Sequence, residues 1–201
     1  MPRLAGQIDL AKTEAILDAA AEVLGERGLS APMEAIARRA GVSKQTVYNH
    51  YGCKAELIRA LVDRRVDSIT ASLREPGAQE NPEDALRAYA RTVLKVLTGG
   101  NYGLMRVTIQ SAGEMPDLAR AVFEAGPVRS RAQLAAFLEM ETRAGRMNVA
   151  DPLQAAEFFS GMVLGQRQTQ ALMNLGPDLT DDEVETLAAE AARIFMRAYS
   201  V

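Results

Sequence analysis

The chain has 201 residues, is 48% hydrophobic and 24% charged, carries a formal net charge of −3 and holds one cysteine. That length allows one or two domains with a sizeable core, and a single cysteine excludes an intrachain disulfide framework, in keeping with a reducing cytoplasm. The longest stretches without a charge, 96–105 and 168–177, span ten residues each, against the roughly 20 apolar residues of a membrane-spanning helix, and MPRLAGQIDLAK has neither the apolar core nor the cleavage site of a signal peptide.

Residues 1–11 read as a flexible arm in which Arg3 is a solvated cation. A first helix is expected from about Thr13 to Arg27, with Ile16, Ala20, Val23 and Leu24 as its buried stripe and Gly28 as its stop. The next stretch, GLSAPMEAIARRAGVSKQTVYNHYGCKAEL at 28–57, carries the densest information in the chain. Pro32 suits the first position of a short helix, and Met33, Ile36 and Ala37 give it one apolar face. Arg38 and Arg39 occupy its last turn, where the helix dipole favours cations, and Gly41 ends it. Val42 is the apolar residue of the turn that follows. Ser43 is a good N-cap for the next helix, in which Val47 and Tyr51 face inward. Lys44, Gln45, Thr46, Tyr48, Asn49 and His50 remain for its outer face. A face made of a cation, amides, hydroxyls and aromatics has the chemistry that reads DNA, with Lys44, Gln45 and Thr46 placed at its N-terminal end to reach base edges.

Residues 41–57, GVSKQTVYNHYGCKAEL, resemble the helix-turn-helix of the TetR family of transcriptional regulators, and residues 15–28, AILDAAAEVLGERG, resemble that family's first helix. The resemblance implies phosphate contacts from Ser43, Tyr48, Asn49, His50 and Lys54. It also implies a homodimer on a palindromic double-stranded operator and a small organic effector. Two positions depart from the family pattern. Ala31 stands where a hydroxyl residue usually caps the second helix, and Cys53 stands where Ser, Asn or Asp usually caps the fourth. Each weakens a cap by about 0.5–2 kcal/mol.

The acidic balance is unevenly placed. Residues 1–65 hold ten Lys/Arg and eight Asp/Glu, and residues 38–65 hold seven basic residues (Arg38, Arg39, Lys44, Lys54, Arg59, Arg64, Arg65) against Glu56 and Asp63. Screening beyond about 8–10 Å makes local charge the one that governs phosphate binding.

A fourth helix, 54–73, carries Leu57, Ile58, Leu61, Val62, Val66 and Ile69 inward and is long enough to connect the 12–53 DNA-binding domain to the remainder, 74–201. Residues 75–82, EPGAQENP, are rich in helix breakers. Asn81–Pro82 opens a helix to about 98; Gly99, Gly100 and Asn101 break it; and a helix over 103–112 follows. Pro116 opens a helix with a kink or break at Gly126–Pro127. Asp151–Pro152 opens a helix to about Asn174, ended by Gly176–Pro177. Thr180 and Glu183 form a capping box for the last helix. No segment alternates with a period of two, so the fold class is all-α: about nine helices, a three-helix N-terminal DNA-binding domain joined through the long fourth helix to a helical ligand-binding and dimerisation domain.

Residues 102–127 and 143–165 resemble the C-terminal domain of AcrR/AefR-type family members. Tyr102, Met105, Arg106, Ile109, Gln110, Phe123, Phe137, Phe158, Met162 and Gln166 lie on helices expected to surround a cavity for a small, mainly apolar ligand. The last two helices carry the expected dimer interface, at Phe159, Gly161, Val163, Gly165, Leu172, Leu187, Ala191, Phe195 and Ala198, the resemblance pairing them with their symmetry mates. His50 is the single histidine, and no phosphate-cradling glycine loop, nucleophile–base pair or metal-ligand spacing occurs, so no enzyme, metal or cofactor is expected. A helical small-molecule-binding or interaction module without DNA binding is the competing reading; it would show a damaged recognition helix, and Ser43 to Tyr51 is intact.

Overall fold

Every regular element among the described residues is helical; the one β-type pairing is an isolated bridge between Met147 and Ser200. The computed structural model describes residues 5–75, 77–78, 80–98, 102–176 and 178–201, with side chains from Leu10 onward. The expected solvated Arg3, the break at Gly99, Gly100 and Asn101, and Pro177 lie outside the described residues. The chain divides into two units, Met1–Arg64 with Gly103–Phe123, and Arg65–Tyr102 with Glu124–Val201.

The first unit holds α1 (Ala5–Arg27), α2 (Met33–Arg39), α3 (Lys44–Tyr51), the first part of α4 (Lys54–Ile69), α6 (Gly103–Ser111) and α7 (Pro116–Phe123). α1 starts upstream of the expected Thr13, so residues 5–11 are helical rather than an arm. Ile16, Ala20, Leu24, Leu29, Ile36, Val47, Leu57 and Ile58 are buried in its core, which confirms the stripes expected for the first four helices. The turn between α2 and α3 is closed by Gly41 at φ 67°, a left-handed conformation that a side chain disfavours, with the Val42 N–H bonded to the Ala37 carbonyl at 3.0 Å. Ser43 then caps α3, its Oγ accepting from the Thr46 N–H at 3.0 Å. The α2 N-cap is Pro32, one residue later than expected, and no side chain caps it. α6 packs closely on α1: a Cβ on Gly103 would lie 3.6 Å from the Gly25 Cα, and one on Gly28 3.5 Å from Val107, both at ordinary contact distance. Residues 103–123, expected with the C-terminal domain, therefore group with the N-terminal helices.

At the start of α4 the Cys53 carbonyl accepts from the Leu57 N–H at 3.2 Å, which makes exposed Cys53 the N-cap. A serine hydroxyl there would accept from a first-turn N–H more strongly than a thiol. Cys53→Ser is expected to raise stability by up to about 1 kcal/mol and the melting temperature by a few degrees; an unchanged or lower melting point in a thermal scan would show that the cap is not weak.

The second unit holds the end of α4, a 3-10 turn at Ala71–Leu73, α5 (Pro82–Thr98), α8 (Arg129–Arg143), α9 (Pro152–Leu172) and α10 (Asp181–Tyr199). The caps follow the expectation. Asn81 accepts from the Asp84 N–H at 3.3 Å, Asp151 from the Gln154 N–H at 3.0 Å, and Thr180 and Glu183 bond each other's backbone N–H at 3.3 and 2.8 Å. Between α7 and α8 there is no break. Glu124–Val128 forms a π-helical turn that carries Pro127, a wide turn that accommodates a residue without an N–H. Leu86, Leu94, Leu134, Leu138, Phe159, Ala188 and Phe195 are buried in the core, where the Phe159 and Phe195 rings meet edge-on, 4.9 Å between centres. Glu141, with no exposed area, accepts from Arg146 Nε at 2.6 Å and Nη2 at 3.0 Å. Beside this pair the Asn148 N–H bonds the Tyr199 carbonyl at 2.7 Å. No helix of the described residues is long and apolar enough to cross a membrane.

α9 is interrupted at Gly165, whose φ 47° and ψ −146° lie outside the helical region. A side chain is strained there, so Gly165→Ala is expected to destabilise by about 1–3 kcal/mol. A melting temperature at or above wild type would mean that α9 straightens without cost.

Candidate nucleic-acid interface

α3 presents its polar residues because Val47 and Tyr51 anchor it from below; Val47 has no exposed area and Tyr51 has 8%. Ser43, Lys44, Gln45, Tyr48 and Asn49 are exposed, and Thr46 and His50 are half-buried. The outer side chains are held by one another. Gln45 Nε2 donates to Asn49 Oδ1 at 2.7 Å, and the Ser43 and Thr46 hydroxyls share a hydrogen bond at 2.8 Å. The Lys44 ammonium bonds the carboxylate of Glu34, in the first turn of α2, and lies 5.6 Å from the centre of the Tyr48 ring. That hydrogen bond holds the Lys44 ammonium above its usual pKa and the Glu34 carboxyl below its own.

Two expected phosphate contacts have ties inside the unit. His50 Nδ1 is 3.4 Å from Thr13 Oγ1, and Lys54 Nζ donates to the Leu29 carbonyl at 3.0 Å, fastening the start of α4 to the turn between α1 and α2. The local positive surplus is also smaller than the residue count implies. Arg39 is bonded to Glu22 and Glu26 at 2.5 and 3.0 Å, and Arg64 to Glu14 and Asp18 at 2.6 and 2.9 Å. Glu34 is the residue that sequence reasoning missed. Its contact with Lys44 crosses the α2–α3 turn, which helical periodicity does not report, and the one local signal was an acidic residue in the first turn of a helix leading into the recognition helix.

Of the residues expected around a ligand, Met105, Arg106, Ile109, Gln110 and Phe123 belong to the first unit and Tyr102, Phe137, Phe158, Met162 and Gln166 to the second. Arg106 and Gln110 line an open groove of about 430 Å³ together with Gly28, Leu29 and Ser30. Ile109, Phe123, Phe158, Met162 and Gln166 are exposed, Met105 is half-buried, and Phe137 is packed in the second unit's core. The half-buried Tyr102 hydroxyl accepts from Gln168 Nε2 at 2.7 Å.

The dimer expectation needs correcting. Phe159, Val163, Ala191 and Phe195 are buried inside the second unit, because the stripe that repeats along α9 and α10 is the one that packs on α5 and α8. Residues exposed by 5% or less offer a partner almost no area to meet. Gly161, Gly165 and Ala198 are exposed, and Leu172 and Leu187 half-buried.

A Ser43-capped helix carrying an outward polar row, set across a glycine turn from a second helix, defines a helix-turn-helix DNA-binding transcriptional regulator. Comparison with known proteins agrees and goes further. Residues 16–61 match bacterial regulatory proteins of the tetR family, and residues 84–201 match the C-terminal domain of AefR-like transcriptional repressors. The chain belongs to the TetR family of transcriptional regulators, a family of regulators and not of enzymes. It is similar to the flavonoid-responsive regulator FrrA, with 31% identity, 94% of this chain and 97% of that one covered, and a TM-score of 0.69. A TetR-family regulator from Mesorhizobium loti is 28% identical over 96% of this chain and 98% of its own, with a TM-score of 0.75. The transcriptional activator FasR of Mycolicibacterium smegmatis is 44% identical over 61 residues, 30% of this chain. The chain spans between 28% and 60% of the curated relatives it matches.

Proposed function

We propose that the chain is a dimeric repressor that holds a palindromic operator and releases it when a small, mainly apolar organic molecule binds. The observation that carries the DNA half is the solvent-facing row from Lys44 to Asn49 on a helix capped by Ser43 and anchored by buried Val47. The likeness of residues 84–201 to AefR-like repressors supports the sign of regulation, and FrrA, named flavonoid-responsive, supports a small-molecule signal. A ligand releases DNA only by binding the non-binding state more tightly.

The second copy is expected on the apolar surface that α9 and α10 leave exposed. Phe158 and Met162, four residues apart, share one face of α9 with Gly161 and Gly165, and Ile194 and Ala198 are exposed on α10. Half-sites about 34–36 Å apart then match the two-fold assembly.

The test is a gel shift with full-length protein and the promoter beside its own coding region, repeated with a panel of apolar and phenolic compounds. A shift that salt weakens and one compound class abolishes is the expected result. A monomer at micromolar concentration in sedimentation would remove the dimer, and a compound that tightens the complex would reverse the proposed sign.

A further inference from the structure

Glu34 is placed where base reading begins. It and Lys44 are both exposed, with 43% and 57% of their side-chain areas open, although each is bonded to the other. Lys44 is the first residue of α3, directly after the capping serine, and Tyr48 lies one turn further along with its ring beside the ammonium. An exposed ion pair of this kind contributes little to stability. Its value lies in what the pair presents: a donor and an acceptor, side by side, at hydrogen-bond spacing.

We propose that Glu34 and Lys44 together read one G·C base pair in each half-site, Lys44 donating to guanine and Glu34 accepting from the cytosine amino group. The inference rests on Lys44 being a base contact. In the major groove guanine offers the N7 and O6 acceptors and cytosine the N4 amino donor. O6 and N4 are themselves hydrogen-bonded across the pair, about 2.9 Å apart. A hydrogen-bonded ammonium and carboxylate therefore match that edge atom for atom, each side chain keeping the other charged and aimed. An A·T pair also offers a donor, adenine N6, but it separates its two acceptors, so the ammonium meets one where guanine gives it two adjacent ones. Where the amino group is not beside the carboxylate, Glu34 faces only phosphates and is repelled. Glu34 thus sets base preference from a helix outside the recognition helix. Lys44 and Lys54 are the cations that act on it, and Lys54 is fastened to the Leu29 carbonyl.

The experiment is in vitro selection from a randomised duplex library with full-length wild type, Glu34→Gln and Glu34→Ala, followed by affinity measurements on the selected duplex and on duplexes altered at single pairs. Wild type is expected to favour G·C over A·T at one pair per half-site by about tenfold or more. Glu34→Ala keeps the rest of the motif, loses most of that preference and binds random duplex more tightly, since a negative charge has left the phosphate side. Glu34→Gln moves the preference toward adenine, which a carboxamide reads bidentately. Thermal melts of both variants within a few degrees of wild type establish that the fold is kept. The same motif from wild type and both variants, or an equal loss of affinity on every duplex, overturns the inference. A wild type that selects no motif overturns the base-reading role of α3 itself.

Discussion

Phe195→Ala is expected to lower the stability of the chain by about 3–5 kcal/mol, the usual loss when a buried phenylalanine is cut back to a methyl. Phe195 is 1% exposed and packs edge-on against Phe159 and at 4.6 Å, centre to centre, from Tyr199. For a chain of this length each kcal/mol shifts the midpoint by about 2–4 °C, so the fall is on the order of 10 °C. The neighbouring residue serves as the control. Ile194 is 42% exposed on the same helix, and Ile194→Asp is expected to leave the fold intact and weaken the proposed dimer. Melting and sedimentation velocity on both variants separate the roles. Dissociation by Phe195→Ala at an unchanged melting temperature would return Phe195 to the interface.

Gln45→Ala should weaken binding to the preferred operator about 100-fold or more. A bidentate amide–adenine contact is worth about 1–3 kcal/mol, and a two-fold assembly loses it twice. One N–H of the Gln45 amide is engaged by Asn49, which fixes the rotamer and leaves the second N–H and the carbonyl for a base. Lys54→Gln is expected to behave differently. It should weaken binding evenly across sequences and make the salt dependence shallower, by about 0.9 in log–log slope for each phosphate no longer neutralised. Because Lys54 also holds the Leu29 carbonyl, it should lower the melting temperature as well. Fluorescence anisotropy over a salt series, on the operator and on scrambled duplex, distinguishes the two. Matching slopes and matching losses from both variants would abolish the division between base and phosphate contacts.

The recognition segment was legible in the sequence because its determinants are local. Ser43 and Thr46, Gly41 and Val42, and Val47 and Tyr51 each act within one turn of helix or one tight turn, the range over which spacing carries information. The capping box at Thr180 and Glu183 is legible for the same reason. What was missed depends on neighbours distant in sequence. An apolar stripe on α9 or α10 shows that Phe159 and Phe195 are covered, but not whether α5 and α8 or a second copy covers them. The α1–α6 crossing joins Gly25 to Gly103, which no local pattern links. Gly165 reads as a small residue that lets a backbone approach, and only its dihedral angles reveal an interrupted helix. Arg39 and Arg64 count toward a basic patch in a tally of charges, yet each is neutralised by two carboxylates from α1.

The way the chain threads its two units has a practical consequence. It crosses between them at 64/65, 102/103 and 123/124. No single cut yields an intact reading head: a truncation after α4 strips residues 103–123 from α1 and bares Gly25 and Gly28. A chimaera meant to transplant the operator preference of this regulator onto a relative's sensor has to carry that insert along with residues 1–64, grafted as two segments.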